Sequence, residues 1–332
     1  METSETLQER ADARFERALF LTGATASGKT ALGVELAQAL DAEIISMDSM
    51  AIYRGMDVGA AKPTLEERRG IAHHMLDVAQ PWQEYSAIDY LRESKRALDD
   101  VLARGKTALF VGGTPLYLKT LLFGAFDGPG ADPEYRDALR RRAASEGVDS
   151  LWRELDACDH ATALRLHPND VKRVVRALEV YRLTGKPISE RQREFSAPPL
   201  VSPGRVFILT WRRESLYARI ERRVDLMMAS GFLAEVERLT ALERPMSATS
   251  SQAVGYRELA EVLRGETTLE DAVVKIKQHT RNLAKRQETW FRSLERDGAR
   301  RVDADGKTLD ELRDEILELV AREKMLPRET NT

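Results

Sequence analysis

A single cysteine, Cys158, stands among 332 residues. That excludes an intrachain disulfide and a Cys-rich zinc finger, and such sparse thiol usage points to a reducing cytoplasm. Long apolar runs are missing as well. None reaches the roughly 18–20 residues that a membrane-spanning helix requires, so no membrane partner is expected. The opening METSETLQERADARFERALF mixes acids with bases and lacks the charged-then-apolar order of a secretory signal. A uniformly basic coat is also absent, since the net charge is −3. Internal repeats and low-complexity tracts are not found. His73 and His74 are adjacent, so in a strand they face opposite sides. No other His, Cys or acid stands at ligand spacing to them, and they read as structural or crevice-lining.

What is present fits a globular chain of a main domain with a smaller or inserted one; a monomer is the default expectation. The apolar run ALFLT (18–22) reads as a buried strand. GATASGKT (Gly23–Thr30) follows it, and KTALGVELAQAL (29–40) continues at helical spacing. The form G-x-x-x-x-G-K-[ST] between a strand and a helix is a phosphate loop. Its inward N–H groups and the helix N-terminus cradle an anion. Gly23, Thr25, Ala26, Ser27, Gly28, Lys29 and Thr30 are therefore candidate diphosphate ligands, with the Thr30 hydroxyl suited to Mg²⁺. Such loops usually hold ATP or GTP, yet what they grip is a diphosphate.

EIISM (43–47) reads as a second strand ending at Asp48, and TALFVGG (107–113) as another ending at Thr114. Helices are expected at 86–105, with Gly105 as C-cap, and at 114–124. Alternating strands and helices imply a parallel α/β sheet whose carboxyl ends form the ligand crevice. Asp48 has three readings there: a turn cap, a water-mediated Mg²⁺ acid, or a general base. Thr114, before Pro115, is equally a plain helix N-cap. The pattern changes near FDGPGADP (126–133), and 127–199 reads as a helical insertion between core segments 15–126 and 200–325. RVFILTW (205–211) returns to strand. Helices follow, the last being TLEDAVVKIKQHTRNLAKRQETWFRSL, as one piece or two, and the end KMLPRETNT is expected to fray. From Lys275 to Arg301 there are nine Lys and Arg against three Asp and Glu, with Trp290 and Phe291 among them. Basic residues interleaved with aromatics suit RNA, although solvated faces and core aromatics are the plainer readings.

Seven segments in order resemble the tRNA dimethylallyltransferases, also called isopentenyl-tRNA transferases. They are GATASGKT, DSMAIYRGMDVGAAKP, VGGTPLYLK, HPNDVKRVVRALEV, ARIERRVDLMMASGF, QAVGYRE and LAKRQETWFR, spanning about Ala18 to Arg292. The resemblance implies a P-loop kinase-like core with a tRNA-gripping helical insertion and a helical C-terminal region. It implies dimethylallyl diphosphate as donor and Mg²⁺ as cofactor. The acceptor is N6 of the adenosine 3′ of the anticodon in tRNAs reading U-starting codons. By the same resemblance Asp48 matches the general base and Thr114 the residue that positions the adenine. Lys29, Thr30 and Arg223 match diphosphate ligands. Matching tRNA-contacting positions are Asp48, Ser49, Met50, Ala51, Thr114 and Arg136. To these the resemblance adds Lys172, Arg173, Val174, Val175 and Arg176, then Gln252, Ala253, Val254, Gly255, Tyr256 and Arg257, and finally Lys285, Arg286, Gln287, Glu288, Thr289, Trp290, Phe291 and Arg292.

Two departures stand out: Ala51 where many members carry glutamine, and Ala24 where many carry proline. The zinc finger of eukaryotic relatives is missing, which gives the chain a bacterial look. A small-molecule kinase on the same core and a non-catalytic RNA-binding NTPase are the rival readings. If the basic segment holds phosphates, replacing Lys285 and Arg286 with alanine weakens tRNA binding and lowers its log–log salt slope by about 1–2. An unchanged slope would make that face solvated structure.

Overall fold

The structure is a computed structural model and describes residues 14–124, 128–191, 201–323 and 325. Its strands are β1 (Ala18–Gly23), β2 (Ala42–Ser46), β3 (His73–His74), β4 (Thr107–Gly112), β5 (Val206–Thr210) and β6 (Arg300–Asp303). They form one parallel sheet in the order β3-β2-β4-β1-β5-β6. β1 is buried along its whole length, as a central parallel strand covered on both faces must be. The chain runs from β1 outward to β2 and β3, returns to β4, then crosses to β5 and β6. The topological switch therefore falls beside β1, where the phosphate loop begins.

The helices are α1 (Lys29–Ala39), α2 (Leu65–Arg68), α3 (Ala87–Ala103), α4 (Pro115–Phe123), α5 (Pro133–Glu146), α6 (Val148–Cys158), α7 (His160–Ala163), α8 (Val171–Thr184) and α9 (Ile188–Arg191). After β5 come α10 (Arg213–Ala229), α11 (Phe232–Thr240), α12 (Ala248–Ser251), α13 (Tyr256–Leu263), α14 (Leu269–Arg296) and α15 (Leu309–Arg322). The basic segment is thus one helix of 28 residues, α14. Ser86 caps α3 at its start; at its end Arg104 is the cap residue and Gly105, at φ +73°, the residue beyond. β3, β6 and α15 have no counterpart in the sequence reading. β6 is RRVD, in which Val302 alone is buried, so it carries no apolar run to detect. Met325, read as part of a fraying end, is buried and packs on the sheet core beside Leu312, Ile316 and Val320. The predicted boundaries at 126/127 and 199/200 lie outside the described residues, as do 326–332. No helix among the described residues is long and apolar enough to cross a membrane.

The chain divides into two compact units, with breaks between Leu122 and Phe123 and between Pro198 and Pro199. The smaller unit is helical, α5 to α9, around Leu139, Leu151, Leu155, Val174, Val175 and Leu178. At its centre Glu179 is fully buried. Burial pushes its carboxyl up, but two hydrogen bonds from Arg136, one from the Asp132 N–H and an Arg176 pair outweigh that and hold it low. Two of the apolar cores of the larger unit frame the site. One lies between the sheet, α1 and α15. The other gathers Ile52, Tyr53, Phe232, Val236, Tyr256 and Ile276 under the loop that follows β2.

That loop is held by one carboxylate. Glu235 on α11 is 3% exposed. It accepts the N–H groups of Asp57 (2.9 Å), Val58 (2.7 Å) and Gly59 (3.0 Å), and the Tyr256 hydroxyl at 2.7 Å. Removing the acceptor leaves four donors unpaired, the Tyr256 hydroxyl among them buried. Glu235→Ala is expected to cost about 3 kcal/mol of unfolding free energy, read from urea denaturation. A loss below about 1 kcal/mol would mean that water replaces the carboxylate.

Candidate active site

The phosphate loop is built from both sides. Gly28 takes φ +92° at the turn into α1, a left-handed conformation that side chains resist. Outside the loop, Trp211 Nε1 donates to Ser27 O at 2.9 Å and Arg219 Nε to Ala26 O at 2.8 Å, with the guanidinium 4.2 Å from the Trp211 ring. Ala24 and Ala26 pack against Leu216, Ile220 and Ala284 of α10 and α14. With its carbonyls tied outward, the loop leaves N–H groups for the inside. Those of Gly28, Lys29 and Thr30 have no backbone acceptor among the described residues. Ser27 Oγ is buried without any partner. Unpaired N–H groups at a helix start fit an anion with several oxygens.

Two cations complete the cradle. Lys29 is 9% exposed, and its Nζ donates to Ala24 O at 3.3 Å. Burial, then the nearby Arg223, lower its pKa to about 8, against a smaller opposing pull from Asp48. Arg223 on α10 is half-buried, and its pKa is lowered by burial while Asp48 counteracts. Cations held below their ordinary pKa by desolvation are poised to gain from an incoming anion. Thr30 remains exposed.

The ends of β2 and β4 are laced together. The Met47 N–H donates to Val111 O at 2.8 Å and the Thr114 N–H to Met47 O at 3.2 Å. A Cβ on Gly112 would lie 2.0 Å from Met47 O, so only glycine permits this approach. Thr114 O accepts the Leu118 N–H, as an N-cap carbonyl does. Its hydroxyl, however, accepts the Ser49 N–H at 2.9 Å instead of capping α4. Asp48 Oδ1 accepts the N–H groups of Met50 (2.8 Å) and Ala51 (3.2 Å), so it does cap its turn. Its second oxygen receives no hydrogen bond from a described residue. Ala51 is buried. His73 Nδ1 pairs with Ile71 O at 2.9 Å and His74 Nε2 with Glu43 at 2.6 Å.

Lys29, Thr30, Asp48, Thr114 and Arg223 line one cavity of about 330 Å³. Ser49, Met50, Ala51, Ala253, Val254 and Gln287, also named from sequence, share its wall. Gly59, Ala60, Ala61, Met227, Phe232 and Ile276, not foreseen from sequence, add an apolar lining to a charged one. The signal was the run of small residues in MDVGAAKP, which leaves room beside the loop that Glu235 holds.

Several residues that the resemblance assigned to RNA are buried or engaged within the protein. Tyr256 is 2% exposed, edge-on to Phe232 and bonded to Glu235. Phe291 is 2% exposed and belongs to the core. Gly255, Val174 and Val175 are buried, so no side-chain contact with RNA is open to them. Gln287 is spent on Thr25 and Gly113. Arg136 and Arg176 are engaged by Glu179, and Arg257 pairs with Glu258. Lys172, Arg173, Gln252, Lys285, Arg286, Thr289 and Arg292 are exposed, while Ser49, Met50, Ala253, Val254, Glu288 and Trp290 are half-buried.

Fold and cavity together define a P-loop α/β protein whose anion cradle opens onto an apolar pocket. Family models for IPP transferase and isopentenyl transferase match residues 51–294 and 17–84. The chain belongs to this family, that of the tRNA dimethylallyltransferases. It is 44% identical to the tRNA dimethylallyltransferase of Rhodopirellula baltica, covering 84% of this chain and 86% of that one. With the Pelotomaculum thermopropionicum enzyme of the same name the identity is 47%, over 83% and 88%. Among solved structures, the tRNA isopentenylpyrophosphate transferase of Bacillus halodurans superposes with a TM-score of 0.68 at 36% identity, covering 93% of this chain and 98% of that one. A eukaryotic dimethylallyltransferase acting on tRNA gives 0.76 at 28%, over 95% and 81%.

The low Lys29 pKa makes a measurable prediction. An unfolded chain binds this proton up to about pH 10.5, the folded one only to about 8. Lys29 therefore penalises folding fully below pH 8, and the penalty lifts as pH rises from there. An anion bound beside the ammonium would reverse the shift. Between about pH 8 and 9, diphosphate binding takes up protons, seen by calorimetry in buffers of different ionisation enthalpy. Lys29→Met removes that uptake. Equal uptake by both proteins would place the proton on the ligand.

Proposed function

We propose that this enzyme transfers the dimethylallyl group of dimethylallyl diphosphate to N6 of the tRNA adenosine 3′ of the anticodon, in tRNAs reading U-starting codons. The observation that carries the reading is the double character of one cavity. Lys29, Arg223 and the loop N–H groups suit a diphosphate, while Gly59, Ala61, Met227 and Phe232 suit a short hydrocarbon. The kinase reading is not favoured, because the named relatives are tRNA dimethylallyltransferases.

In this reading an adenine N6 lone pair attacks the allylic carbon. The N–C bond forms, the C–O bond breaks, and its electron pair leaves with the diphosphate. Lys29, Arg223 and the loop N–H groups receive that charge in place. The free oxygen of Asp48 accepts the N6 proton, while its other oxygen, bound by Met50 and Ala51, fixes the carboxylate plane. Thr114, held by Ser49, faces the same cavity and orients the base. Mg²⁺, when bound, adds positive charge to the diphosphate oxygens; the exposed Thr30 hydroxyl is the hard-oxygen donor that suits it. A base stacked in the anticodon loop must be flipped out to reach this cavity.

Asp48→Asn is the sharper test, because the amide oxygen can still accept the Met50 N–H and keep the turn. Transfer, followed by mass spectrometry of tRNA nucleosides, should fall by roughly 10²–10⁴-fold, with tRNA affinity retained. Turnover at the wild-type rate would remove Asp48 as the base.

A further inference from the structure

Gln287 lies on the inner stripe of α14 with Ala284, Phe291 and Leu294 and is 7% exposed. Its amide makes two hydrogen bonds of opposite sense. Oε1 accepts the Thr25 N–H at 2.9 Å, and Nε2 donates to Gly113 O at 2.6 Å. Turning the amide over would set donor against donor and oxygen against oxygen, so one orientation is fixed. Thr25 belongs to the phosphate loop, and Gly113 precedes Thr114. A Cβ on Gly113 would stand 3.1 Å from Gln287 Nε2, 3.1 Å from Lys29 Nζ and 3.2 Å from Gly23 O. The amide, the ammonium and the loop therefore meet around one glycine. A further tie between the two segments, Thr22 Oγ1 to Gly112 O at 2.8 Å, precedes the loop and leaves Thr25 to Gln287.

We infer that Gln287 is a positioning residue of the transfer: it spans the gap between phosphate loop and β4 and sets the separation of the diphosphate cradle from Thr114. The inference rests on the leaving-group reading of the cavity. It also predicts how an isostere behaves. A protonated carboxyl at this position donates to Gly113 O and accepts from Thr25. An ionised one has no proton to donate and turns an oxygen toward Gly113 O.

The test compares wild type, Gln287→Met and Gln287→Glu. Pyrophosphate binding is measured by calorimetry without RNA, tRNA binding separately, and steady-state kinetics from about pH 5.5 to 8, spanning the usual range of a perturbed carboxyl. Gln287→Met should weaken pyrophosphate about tenfold and raise KM for the prenyl donor, with tRNA affinity unchanged. For Gln287→Glu, kcat/KM relative to wild type should fall as pH rises, and by more than the loss of folded protein that Tm in the same buffers accounts for. Should the methionine variant not fold, the pH dependence of the glutamate variant carries the test. A loss confined to tRNA affinity, or a pH-independent glutamate ratio, would overturn the inference. So would wild-type pyrophosphate binding by Gln287→Met, and it would leave the leaving-group reading standing. No pyrophosphate uptake by the wild type would overturn both.

Discussion

Lys29 and Arg223 face a cavity in which they form no ion pair among the described residues, and burial works against the charge of each. Holding two such cations together is unfavourable until an anion arrives. The fold must therefore supply the restraint. It does so by fastening the loop from behind: Trp211 and Arg219 hold its carbonyls, and α10 and α14 pack on Ala24 and Ala26. Arg223 comes from the same helix that supplies Arg219, so one element both braces the loop and furnishes a ligand. The departure at Ala24 also finds its place here. The small side chain sits in the packing between loop and helices, where stiffness comes from neighbours and not from the residue itself.

The apolar half of the cavity depends on a different kind of restraint. Glu235 replaces missing secondary structure for residues 57–59 by accepting three successive backbone donors. Successive N–H groups converging on one carboxylate make a compact nest. The loop then presents small side chains, Ala60 and Ala61, to the cavity. The helical unit uses the same device independently, with Glu179 collecting Asp132, Arg136 and Arg176. In both places a buried acid is satisfied by many donors, the condition under which burying it is tolerable.

Sequence made the site's frame legible and its interior much less so. The phosphate loop, Asp48 and Thr114 were readable because each follows an apolar strand, and central parallel strands are apolar throughout. The edge strands failed that test: β3 is two half-buried histidines and β6 is mostly charged. Within α14 the basic residues suggested one face, but Ala284, Gln287, Phe291 and Leu294 recur at spacings of three and four. That stripe marks a buried side and includes the glutamine, so the information was present. A polar residue in such a stripe signals a buried tie, whereas the resemblance marked Gln287 as an RNA contact. Arg136 and Arg176 show the converse. The resemblance marked them as RNA contacts, and no local pattern announces that Glu179, fully buried, engages both.

Comparison with phosphoryl transfer explains why so much of the structure is brace. In a kinase the loop holds a chain whose end group departs, and the developing charge is spread over the group in flight. In the prenyl transfer proposed here the diphosphate stays in the loop and the carbon leaves. Negative charge grows at a fixed position, so donors aimed there in advance need not reorganise. The fixed Asp48 carboxylate fits the same logic on the other reactant. One oxygen is spent on the Met50 and Ala51 N–H groups and the other is left for the base. A site that stabilises a departing anion in place gains from rigidity, and the Gln287 bridge between loop and β4 is the tie that joins its two halves.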